Sequence, residues 1–166
     1  MQISQLYSNL PDILSPVVFN HGADANRLNV VLGEVKHPKD RKKDSHNLGK
    51  TTLLHLIDFL MLKGWSQDSF LYRHRDRFAD FVFFLEIALN SGGYATIRRS
   101  VSAPTRAALS RHDMPNADFN DVADDAWDHP DLPIDEAITL LDAWLDLRAL
   151  KPYDYRKAIT YFLRAQ

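Results

Sequence analysis

Six residues, Asn47-Leu48-Gly49-Lys50-Thr51-Thr52, constrain this chain more than any other stretch. Ahead of them lies an apolar, β-branched run, Leu28-Asn29-Val30-Val31-Leu32, which ends at Gly33 and reads as a buried strand. After them come Leu53, Leu56, Ile57, Leu60 and Met61, spaced as one face of a helix. Strand, Gly-Lys-Thr, helix is the order that a phosphate-binding loop needs. Glycine lets the backbone approach a phosphate, and lysine places a point charge on the β- and γ-phosphates. A hydroxyl ligates Mg²⁺, and the free N–H groups of the helix's first turn complete the anion cradle. Asn47, Gly49, Lys50, Thr51 and Thr52 are therefore the expected ATP-binding residues, with Thr51 also on the metal.

The match to G-x-x-x-x-G-K-[ST] is partial, because position 44, where the first glycine should fall, is Asp44. Gly33 does follow the strand directly, and residues 34–46 then read as a basic insert that opens the loop. Such inserts cost little in closure entropy. From Lys36 to Lys50 there are six Lys or Arg against two Asp, a local +4 that attracts polyanions. The insert is thus a solvated loop, a lid over nucleotide, or a contact for DNA. The alternative for the whole stretch is a chance Gly-Lys-Thr at the start of an ordinary helix.

Elsewhere the pattern is mixed α/β. Ile3 to Tyr7 and Val17 to Phe19 read as short strands around a turn at Asn9-Leu10-Pro11-Asp12, and Gly64 as the end of the helix after the loop. Ser69 to Asp80 is a charged segment. Phe81 to Leu89 and Tyr94 to Arg99 read as two strands joined by Asn90-Ser91-Gly92-Gly93, a turn short enough to force antiparallel pairing. Two features imitate other motifs. Leu89 to Gly93 resembles the start of an ABC signature but lies between strands rather than at a helix N-terminus, and Glu86 resembles a Walker B glutamate without the preceding Asp. Both read as structural.

From Asp113 to Glu136 there are nine acidic residues and no Lys or Arg, so residues 111–132 are expected to form an acidic loop. His112, Asp113, Asp128 and His129 lack a metal-ligand spacing and read as part of that charge run. Pro133 then opens a helix with the stripe Ile134, Ile138, Leu141 and Leu145. With no cysteine, disulfides, thiolate chemistry and Cys-ligated metal are excluded. At 166 residues the chain fits one domain, and no apolar run approaches the ~20 residues of a membrane span, so a cytoplasmic protein without membrane contact is expected.

The stretches Leu28 to Gly33, Asp44 to Leu54 and Leu56-Ile57-Asp58-Phe59, with the Ile97-Arg98-Arg99 strand and Tyr155 to Gln166, resemble the N-terminal lobe of an SMC-like ATPase head of the ABC class. The likeness is to a bacterial group of coiled-coil ATPases related to SMC, RecN and double-strand-break repair ATPases, and it covers nearly the whole chain. It implies a P-loop NTPase-like fold with an antiparallel hairpin or meander, incomplete as a full head. It implies ATP and Mg²⁺ as cofactors, Gln166 as a catalytic and metal-contacting Q-loop residue, a homodimer of heads in the full-length protein, and DNA as a partner. Repair, chromosome maintenance and phage defence are the processes implied. The coiled coil, signature, Walker B pair and switch histidine are missing from this sequence, so ATP hydrolysis is expected only in a longer chain or dimer. A non-catalytic module for nucleic acid or protein, and a small P-loop kinase, are the other readings, the kinase being disfavoured by the hairpin.

Overall fold

The computed structural model describes residues 1–19, 50–147 and 152–162. One antiparallel sheet of six strands forms the frame, in the order β2-β1-β3-β4-β5-β6. The strands are β1 (Gln2–Ser8), β2 (Val17–Val18), β3 (Val82–Ala88), β4 (Tyr94–Ser100), β5 (Arg106–His112) and β6 (His129–Pro133). The longer helices are α1 (Lys50–Leu60), α4 (Ile134–Leu145) and α5 (Tyr155–Phe162), and α2 (Phe70–Arg73) and α3 (Arg75–Phe78) are single turns.

The expected hairpin is present, with every residue of β3 paired to β4 from Val82–Ser100 to Ala88–Tyr94. Gly92 and Gly93 close it at φ 95° and 72°, a left-handed backbone that side chains disfavour. A Cβ on Gly93 would also stand 3.0 Å from the His112 carbonyl oxygen of β5.

Alternation along β3 divides the molecule. Phe83, Leu85 and Ile87 join the main core, where α1 lies over β3 and β4 and α4 over β5 and β6. Phe84 points to the other side, into a smaller cluster with Tyr7, Ala108 and Trp127. That second face is covered by chain between β5 and β6, through Phe119, Val122 and Trp127. The expected acidic loop at 111–132 is therefore corrected. Its two ends are strand, a 3-10 turn spans Asp124–Ala126, and its apolar residues cap the sheet. Ser69 to Asp80 also holds two helical turns, the first capped by Ser69 Oγ accepting from the Tyr72 N–H at 3.2 Å.

Gly64 does not end α1. The helix stops at Leu60, and Leu62 takes the left-handed position at φ 65°. The Leu62 N–H donates to the Phe59 carbonyl (3.0 Å) and the Lys63 N–H to the Asp58 carbonyl (3.1 Å), which is a Schellman cap. A leucine holds this position because its side chain is wholly buried, and burial of that size is worth roughly 1.5–3 kcal/mol against the left-handed cost of roughly 1–2 kcal/mol.

Candidate nucleotide-binding site

Lys50, Thr51 and Thr52, which follow Gly49 in the sequence, open the described part of α1. Thr51 is exposed and Thr52 half-buried, and the first described turn carries no acidic residue. Asn47, Gly49 and Gln166 lie outside the described residues, as do the strand expected at Leu28 to Leu32, Gly33 and the insert at 34–46. Of the expected site, the structure therefore brings together Thr51, Thr52 and the backbone of Lys50.

The rest of α1 is held rigidly. Leu56, Ile57, Phe59 and Leu60 are buried against the sheet. At the C-terminal end, Arg99 from β4 is 1% exposed and faces backbone carbonyls instead of a carboxylate. It donates to the Phe59 carbonyl, to the Lys63 carbonyl at 3.0 Å and to the Pro104 carbonyl, and its guanidinium stacks 3.9 Å from the centre of the Phe59 ring. Burial pulls its pKa down to about 9. The negative end of the helix dipole and three carbonyls stand in for a counter-ion. Asp58, 6% exposed inside an otherwise apolar helix face, takes Lys63 Nζ at 2.6 Å and a guanidinium nitrogen of Arg156 from α5.

Glu86 lies on the far face of the sheet from α1, because it alternates with Leu85 and Ile87, and so cannot meet a phosphate at Lys50. Wholly buried, its carboxylate accepts from Ser4 Oγ, the Asn116 N–H (2.9 Å) and the Ala117 N–H (3.0 Å), which pins the covering segment to the sheet. Beside it, His112 Nδ1 bonds the Met114 carbonyl and Nε2 bonds Thr96 Oγ1, both at 2.8 Å. Asp128 accepts from the Arg111 N–H at 2.8 Å. Among the described residues, no group of three or more His, Asp or Glu side chains converges as a metal site.

Sequence reasoning overlooked Arg99, Tyr155 and Arg156 as supports of α1. One signal was available for their partner, since Asp58 is a lone charge in an apolar run, Leu56-Ile57-Asp58-Phe59. The chain matches no protein-family model, no curated protein and no solved structure. Among the described residues no helix is long and apolar enough to cross a membrane.

Proposed function

We propose that the chain is the ATP-binding N-terminal lobe of a cytoplasmic, SMC-like ATPase head that acts on DNA in repair, chromosome maintenance or phage defence. One observation carries the proposal: Lys50-Thr51-Thr52, the residues that follow Gly49 in the sequence, are helical in α1, with Thr51 exposed and no acidic residue among them. A six-stranded antiparallel sheet is not the parallel core of a phosphate-loop enzyme, so the described strands would be the antiparallel part of such a lobe. Support thus rests on the order Gly-Lys-Thr into helix and not on the sheet.

In this reading Asn47, Gly49, Lys50 and Thr52 hold the phosphates of ATP, and Thr51 and Gln166 hold Mg²⁺. The metal supplies charge neutralisation on the phosphates; the chain supplies position. Glu86 is committed to Ser4, Asn116 and Ala117, so it is not placed to polarise water beside Thr51. A second copy or a longer chain would provide that group.

The test is titration calorimetry with Mg-ATP. Lys50→Ala should abolish most binding while Lys43→Ala leaves it unchanged, and neither protein should turn over ATP at a useful rate. Equal affinity of wild type and Lys50→Ala would sink the assignment and favour the second reading, a non-catalytic module in which the loop is vestigial. Steady hydrolysis lost in Lys50→Ala would show instead that the site is complete.

A further inference from the structure

The C-terminal end of α1 is gripped by α5 at two points. Arg156 bridges them, with one guanidinium nitrogen on Asp58 Oδ1 and the other 3.3 Å from the Met61 carbonyl. The Tyr155 hydroxyl donates to the same carbonyl at 3.2 Å, and the Tyr155 N–H donates to Asp142 Oδ1 of α4 at 2.9 Å. These groups are shielded from water. Tyr155 is 1% exposed, and the Arg156 and Asp58 side chains are 16% and 8% exposed. Charge-assisted bonds in such surroundings hold geometry more firmly than surface pairs do.

We propose that Arg156 is a positioning residue for the helix that carries Lys50 and Thr51, and that α5 is thereby the link between that helix and the chain running on to Gln166. The functional part of this rests on the nucleotide reading above. Asp58 lies eight residues from Lys50, about 12 Å along a helix. A helix packed on a sheet moves as a unit, so a shift at Asp58 reaches the first turn. A forked guanidinium is required because two acceptors of different kinds, a carboxylate and a carbonyl, must be met at once. Asp58 has a second cation in Lys63, so removal of Arg156 leaves the carboxylate paired.

The experiment compares wild type, Arg156→Ala and Arg156→Lys in the full chain, by circular dichroism, Mg-ATP calorimetry and hydrogen exchange of the α1 amides. The expected result is native dichroism, about tenfold weaker Mg-ATP binding in Arg156→Ala, and faster exchange from Leu54 to Ile57. Arg156→Lys should recover only part of both, since it keeps the charge and loses the fork. Wild-type binding that depends on Lys50, with unchanged affinity in Arg156→Ala, overturns the positioning role and leaves the nucleotide reading standing. If wild type does not bind Mg-ATP, the nucleotide reading fails, and exchange decides the rest: unchanged α1 exchange in Arg156→Ala overturns the link. Should Arg156→Ala not fold, Arg156→Lys with wild-type affinity and exchange overturns it equally.

Discussion

At Arg99 and His55 a titratable side chain is shaped by its surroundings in ways that set pH behaviour. Arg99 stays charged in both folded and unfolded chain below about pH 9, so it adds no slope to stability through the neutral range. His55 behaves differently. It stacks on Phe70 at 5.0 Å, and burial first, then the charges of Lys63 and Arg73, lower its pKa below the usual histidine value. A proton therefore binds the unfolded chain more readily than the folded one. The contribution is complete above about pH 6.5 and is lost as pH falls through the lowered folded value. Thermal melts between about pH 7.5 and pH 5 should show a falling midpoint, and His55→Gln should flatten part of that fall. An identical pH slope in the variant would show that other groups carry it.

At the scale of the element, the segment between β5 and β6 is the unexpected part. It is the most acidic stretch of the chain, yet it covers a sheet face by placing Phe119, Val122 and Trp127 against Tyr7 and Phe84. Tyr7 adds its hydroxyl, which accepts from the Phe119 N–H at 2.9 Å, and Gln5 Nε2 donates to the Ala117 carbonyl at 2.9 Å. Glu86 holds the start of this cover through two backbone N–H groups. Glu86→Ala leaves those donors and Ser4 without the carboxylate, a cost of roughly 2–4 kcal/mol. Urea unfolding should show that loss, with a red shift of native-state tryptophan emission as Trp127 gains water. A midpoint unchanged from wild type would mean that the cover is held by its aromatic residues alone.

For the whole molecule, charge is distributed so that a basic insert at 34–46 adjoins the proposed nucleotide site in sequence while the acidic cover lies on the opposite face from α1. A polyanion would meet the first and be repelled by the second. Replacing Lys39, Arg41, Lys42 and Lys43 by Ser together separates the possibilities for the insert. Duplex DNA bound through these cations should lose affinity in the variant, and for wild type the log-log salt slope should be near −0.9 per phosphate neutralised. A nucleotide lid predicts weaker Mg-ATP binding with no effect on DNA. If neither changes, the insert is a solvated loop.

What the sequence determined by itself is local. Residues Phe81 to Arg99 specify a hairpin, because a nearly continuous apolar run and a second β-prone segment flank a Gly-Gly turn whose backbone only glycine adopts without strain. The spacing of Leu56, Ile57 and Leu60, and of Leu141 and Leu145, specifies the buried faces of α1 and α4. Strands β5 and β6 were not legible: β5 reads Arg-Ala-Ala-Leu-Ser-Arg-His, with little intrinsic strand preference, and β6 contains Pro130 and Pro133, which only an edge position tolerates. Their pairing depends on β4 having an open edge beside it. The same holds for the partners of α1. Asp58, Arg99 and Arg156 are separated by 41 and 57 residues along the chain, from 58 to 99 and from 99 to 156, and meet only once sheet and helices have packed. Local spacing encodes period and turn, whereas a buried charge finds its partner only in three dimensions, and that is why the supports of the candidate site were decided by the tertiary structure.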